Sequence, residues 1–261
     1  MNIQEFHSLQ RDFLDYAATF IDPDTIGGPH VLKRDHSIRV CEEITGLGQA
    51  LALSKPDLTL ARAIALLHDI GRFEQFKRYG TFVDAASENH AFLGLGVIET
   101  QKLLQPLPPV QRALIMDAVG FHNAALLPEN RDDRTLFFMR LIRDADKLDI
   151  WQVVIDHYLN TARRDDKFID LGLEDRGGYS PGPLNALIEG RFVLSSTIEE
   201  LNDFKLMQIS WVFDLNFSPT FARVKQRRYI EKLASTMPPN PDLSLALDQV
   251  FDHLETHTHD T

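Results

Sequence analysis

The chain has 261 residues, with 38 acidic side chains against 27 basic ones and a formal net charge of −11. That length buries a sizeable core without cross-links, and a lone cysteine, Cys41, closes no internal disulfide. The acidic balance argues against long nucleic acid as a partner. No apolar run approaches the roughly 20 residues of a membrane-spanning helix. The chain opens without the regions of a secretory leader, so a cytoplasmic protein with no membrane partner is expected.

Apolar positions recur at helical spacing and few runs alternate, which predicts an all-α fold. A first helix is expected over residues 3–20, with Phe6, Leu9, Phe13, Leu14 and Ala17 on one face, stopped by a cluster of Asp, Pro and Gly. A second spans about 30–51. A third opens at Ser54 as N-cap, with Asp57 three residues on, and carries the apolar run from 58 to 67. It ends in Leu67-His68-Asp69-Ile70-Gly71, where Gly71 offers a C-terminal stop, and a loop of mixed charge and aromatics is expected to follow. Ser87 reads as the cap of a helix carrying His90, Leu93, Val97 and Ile98, and Pro108-Pro109 begins another that ends near His122.

The longest helical pattern runs over about 134–164 and contains Asp144, Asp146 and Asp149. Gly, Pro and charge crowd residues 167–183, read as a long loop. The expected organisation is therefore a metal-binding helical core over 1–165 and, over 166–261, a loop and C-terminal helices packed on it, near 197–216, 219–235 and 243–253. The polar end carrying His253, His257 and His259 is read as a disordered tail. His7, His30 and His157 read as surface or packing residues, and Trp151 and Trp211 as core aromatics.

The pair His68-Asp69 closes an otherwise apolar helix, where an unpaired carboxylate costs several kcal/mol unless something satisfies it. Neighbours on a helix diverge by about 100°, so both reach one ion only where a helix ends or several converge. By itself the pair marks no more than a helix end. Its weight grows because His36, His90, His122 and Asp146 lie on separate predicted helices, each in an apolar setting. Four imidazoles and two carboxylates suit borderline first-row divalent ions, Mn, Fe, Co, Ni or Zn. No Ser/His/Asp arrangement, nucleophile elbow or reactive-Cys motif competes, and Cys41 reads as a packing residue.

In chain order the motifs H-S-I-R-V at 36–40, L-L-H-D-I-G-R at 66–72, N-H-A-F-L-G at 89–94, F-H-N at 121–123 and D-A-D-K-L-D at 144–149 resemble the HD superfamily of metal-dependent phosphohydrolases over residues 31–151. The resemblance implies an all-α HD-domain bundle with added C-terminal helices and a six-ligand, two-metal site. His36, His68, Asp69 and Asp146 would hold the first divalent ion and His90 and His122 the second, with Asp69 bridging. Asp146 is chosen because family members place the ligand after the Ala; Asp144 is the fallback. The resemblance further implies hydrolysis of a phosphomonoester or phosphodiester, nucleotides among the candidates, by a metal-activated water. The Gly-Tyr-Pro signature of the cyclic-dinucleotide branch is missing, and the dNTP triphosphohydrolase and guanosine-tetraphosphate branches match poorly.

Asp69 and Arg72 are the catalytic candidates. A guanidinium after the His-Asp-Ile-Gly turn suits a phosphate, and Arg39, beside His36, and Lys147, beside Asp146, complete the candidate substrate contacts. Arg78, Tyr79, Asp84 and Asn89 belong to the segment leading to His90, where substrate selectivity is expected. The partner is a small phosphorylated substrate, with room for a homo-oligomer. Two other readings stay open: a di-iron HD-fold oxygenase acting on a small polar substrate, and a non-catalytic metal-stabilised scaffold.

Overall fold

The computed structural model describes residues 1–22, 24, 27–160 and 168–258 and is helical with no strand among them. Two compact units form, Met1–Asp149 and Ile150–Thr261; the expected boundary at 165/166 lies outside the described residues.

The first unit is built around a helix that solvent hardly reaches. Helix α1 (Ile3–Ala18) starts with a capping box in which Asn2 and Glu5 satisfy each other's backbone N–H, and it buries Phe6, Leu9, Phe13 and Ala17. Helix α2 (Pro29–Ala50) follows, and α3 (Lys55–Leu67) lies against α1, α2 and α6 (Pro109–Phe121). Every α3 residue from Thr59 to Leu67 except Arg62 is buried, as its unbroken apolar run demands. Ser54 caps it, accepting from the Asp57 amide at 3.3 Å and donating to the Asp57 carboxylate at 2.8 Å. Such a cap is worth about 1 kcal/mol.

Three local expectations are corrected. Residues beyond the His-Asp pair form helix α4 (Gly71–Tyr79), so Gly71 opens a helix and the stop is Gly80, at φ 67°. Gly71 is small for another reason: a Cβ there would lie 2.1 Å from the His90 carbonyl oxygen and 2.4 Å from the Gly94 amide nitrogen, on helix α5 (His90–Thr100). The cap of α5 is Asn89, whose side chain accepts from the Ala91 and Phe92 amides; Ser87 instead donates to the Val83 carbonyl.

The last long helix, α7 (Asp133–Leu159), runs across the division of the units; Arg164, where it was expected to end, lies outside the described residues. In the second unit Trp151 is fully buried, its indole N–H donating to the Gln208 carbonyl at 3.0 Å. A helix not expected from sequence, α8 (Pro181–Ile188), packs on α9 (Leu201–Ser210) and α12 (Pro241–Thr258). The segment expected as one helix over 219–235 is two, α10 (Ser218–Arg227) and α11 (Tyr229–Ala234), divided by the left-handed Arg228. The tail is also corrected. His253 and His257 belong to α12, with rings 5.0 Å from Phe213 and 5.3 Å from Phe221, while His259 lies outside the described residues. No helix among the described residues is long and apolar enough to cross a membrane.

Candidate metal centre

Five helices bring six side chains to one place within the first unit. His36 comes from the middle of α2 and Asp146 from the middle of α7; His90 opens α5. His68 and His122 follow the last residues of α3 and α6. The last carbonyls of a helix lack intrahelical donors, and these two imidazoles supply them. His68 Nδ1 donates to the Ala65 carbonyl and His122 Nδ1 to the Val119 carbonyl, each at 2.7 Å and each three residues back.

The other two imidazoles are held by carboxylates. Nδ1 of His36 donates to Asp149 at 2.6 Å, and Nδ1 of His90 to Asp84 at 2.8 Å. All four rings therefore spend Nδ1 outward, which turns Nε2 inward. Fixing a ring through its far nitrogen is the usual support of a metal-ligating histidine.

The inward atoms fall into two groups around Asp69. Its Oδ2 lies 3.5 Å from His36 Nε2 and 3.7 Å from His68 Nε2, while its Oδ1 lies 3.3 Å from His90 Nε2 and 3.7 Å from His122 Nε2. Asp146 Oδ1 joins the first group, 3.0 Å from His36 Nε2 and 3.5 Å from His68 Nε2. Donor atoms close enough to share an ion are found in His36, His68 and Asp146 and again in His68, Asp69 and His122, and His90 joins the latter through its 3.0 Å approach to His122.

Charge and hydrogen bonding show that this geometry suits cations. Burial would lower the His36 imidazole, but Asp146 and Asp149 outweigh it and raise its pKa to about 9. Burial and then Arg72 push His90 down to about 3, which keeps it neutral. Burial raises the carboxyl of Asp69, yet Lys33, His68 and Arg72 hold it well below the usual carboxylate range; His36 and His68 do the same for Asp146. His90 and His122, each donating from Nδ1, bring their Nε2 atoms to 3.0 Å from one another, close enough for both to face one ion. Asp146 Oδ1 is buried with no hydrogen-bond partner, which an apolar site would not tolerate. The donor set fits divalent metal.

The remaining candidates separate by what their charges touch. Nη1 of Arg72 donates to the Phe82 carbonyl, Gln75 Oε1 and Asp84 Oδ1, while its Nε is buried without a hydrogen-bond partner, 3.4 Å from Asp69 Oδ1. Arg39 grips both oxygens of Asp149 at 2.6 and 3.0 Å, so it acts on His36 through that carboxylate. Lys147 is buried, as is Asp144. Of the segment assigned to selectivity, Asn89 is spent as a helix cap, and Arg78 pairs with Glu74 at 3.0 Å and lines, with Asn89, a cavity of about 600 Å³ beside Tyr16. Tyr79 is exposed.

Sequence reasoning missed several supports. Asp84 anchors His90 and receives Gln75, Arg72 and Asn123; Gln75, fully buried, ties it to Ser87 and the Glu88 carbonyl. Lys33, one helical turn before His36, donates to Asp69 Oδ2 at 2.7 Å. A polar Gln among the aromatics that follow the His-Asp pair and a Lys at i−3 from a candidate ligand were the available signals.

Residues 34–151 match the family model described as HD domain, so this part of the chain is an HD domain. No curated protein and no solved structure matches the chain.

Proposed function

We propose that the protein is a metal-dependent phosphohydrolase that cleaves a phosphomonoester or phosphodiester of a small substrate, nucleotides among the candidates, with water as nucleophile. One observation carries the reading: four imidazoles with outward-bonded Nδ1 direct Nε2 at the two oxygens of the buried Asp69. The HD domain over 34–151 supports it, since members of that superfamily are generally metal-dependent hydrolases. In this reading His36, His68, Asp69 and Asp146 hold one divalent ion and His90 and His122 a second, with Asp69 shared. When bound, such ions supply Lewis acidity toward a phosphoryl oxygen and lower the pKa of water.

The chain's own residues do the rest. Asp69 stays ionised and fixed between Lys33 and Arg72. Asp84 and Asp149 hold the tautomers of His90 and His36, and Gln75 with Arg72 holds Asp84. Arg72 contacts the substrate's phosphoryl group from the His90 side of Asp69. Arg39, proposed from sequence as a substrate contact, acts on the site from outside its centre by holding Asp149, while Lys147, the other such candidate, is buried beside Asp146.

The deciding experiment uses protein purified without oxygen, analysed for bound metal and then assayed with Mn²⁺ against a panel of phosphate esters. Phosphate release under anaerobic conditions is expected. A protein that releases none but consumes oxygen when loaded with Fe²⁺ would be the oxygenase instead. A second expected result concerns Asp149→Asn, which keeps the shape but loses the charge that orients His36. Metal affinity should fall by about 10- to 100-fold, the range for removing such a support, as measured by competition with a chelating dye. Unchanged affinity would show that Asp149 serves Arg39 alone.

A further inference from the structure

We infer that Lys33 receives the substrate's phosphoryl oxygens on the side of Asp69 opposite Arg72, an inference that rests on the phosphohydrolase reading.

Most cations around the centre are already committed. Arg143 donates to the carbonyls of His122 and Ala124. Arg39 is held by both oxygens of Asp149, and Nη1 of Arg72 by three acceptors on the 75–84 segment. Lys147 is buried. Lys33 differs in number of partners: its ammonium makes one hydrogen bond, to Asp69 Oδ2. An ammonium carries three donors, so two remain at a point 2.7 Å from the central carboxylate.

Its position also differs. Lys33 lies at Oδ2, the oxygen nearest His36 and His68, whereas Arg72 lies at Oδ1, nearest His90. The two cations thus bracket one carboxylate, and both rest against the ring of Phe82, at 5.4 and 5.8 Å. The lysine ammonium itself lies over that ring, and 16 % of the side chain remains exposed. Enough surface is open for an incoming oxyanion, and too little for the head to swing far into solvent. A compact ammonium is a common phosphate contact that acts as a point charge and needs no fixed angle.

The test uses the full chain loaded with Mn²⁺, with Lys33→Met and Lys33→Arg beside the wild type. Bound metal per chain, the affinity for inorganic phosphate by calorimetry, and kcat and KM for p-nitrophenyl phosphate are measured together. In Lys33→Met brought to full metal content with excess Mn²⁺, phosphate affinity should fall and KM rise by about 10- to 100-fold, the range for losing a hydrogen bond to a charged group. Lys33→Arg should recover most of both. Phosphate affinity and KM unchanged in metal-replete Lys33→Met would overturn the assignment and leave the phosphohydrolase reading intact. Loss of metal in both variants would also overturn it, because Lys33 would then serve only to hold Asp69. A wild type that keeps its metal but neither binds phosphate nor hydrolyses any ester would overturn both readings.

Discussion

Asp69→Ala should lose bound divalent metal and phosphate release together, with activity down by at least about 10³-fold, as expected when a water is no longer activated by an ion. The reason is its place among the charges. Its two oxygens are the common neighbours of all four inward imidazoles, at 3.3 to 3.7 Å. Without it, each pair of imidazoles keeps its position but loses the anion that offsets a second positive charge nearby. Lys33 and Arg72 would then face the site with no carboxylate between them, and breaking such a buried pairing costs about 3–5 kcal/mol. Asp69→Asn, which keeps the shape, separates the two effects. It should fold as the wild type by circular dichroism and still fail to retain metal by elemental analysis. Normal metal content in a folded Asp69→Asn would contradict the assignment of Asp69.

Gly71→Ala should be severely destabilised, and its sign runs against helix propensity. At an open helical position, Gly to Ala gains up to about 1 kcal/mol. At Gly71 the added methyl would stand 2.1 Å from the His90 carbonyl oxygen and 2.4 Å from the Gly94 amide nitrogen, both backbone atoms that cannot turn aside. Helices α4 and α5 must then separate, at a cost of about 1–3 kcal/mol or more for an overpacked contact. The displaced element begins with His90 itself, so the same change should weaken the half of the centre formed by His90 and His122 before the half formed by His36, His68 and Asp146. Urea unfolding should show a lower midpoint, and metal titration a loss of the second equivalent first. Gly96, on α5 with nothing within 4 Å of an added Cβ, is the control, and Gly96→Ala should be neutral or stabilising. Equal midpoints for the two variants would mean that the close approach of α4 and α5 gives way easily.

Much of this molecule was legible in the order of its residues. Helical periodicity marked most of α1, α2, α3, α6 and α7 to within a few positions, because an apolar stripe at 3.6-residue spacing is a local property of the chain. The same holds for the six candidate ligands: their motifs are short, and burial of so many polar groups in apolar settings signals a shared need. Choosing Asp146 over Asp144 rested on the family pattern; in the structure Asp146 Oδ1 lies 3.0 Å from His36 Nε2 and 3.5 Å from His68 Nε2.

What tertiary structure decided is the division of labour around those ligands. Gly71 looked like a helix stop because only its chain neighbours were visible; its smallness answers to His90 and Gly94, about twenty residues away. Arg39 and Lys33 are both cations one turn from His36, and nothing local distinguishes them, yet one meets Asp149 and the other Asp69. Ser87 and Asn89 both have cap chemistry, and the path of the segment selects Asn89. Sequence specifies which groups are present and on which face of a helix they lie. Which nitrogen points inward, and which charge is spent on a neighbour, depends on atoms brought together from distant parts of the chain, because Coulomb and hydrogen-bond energies are set by distances of a few ångströms in space.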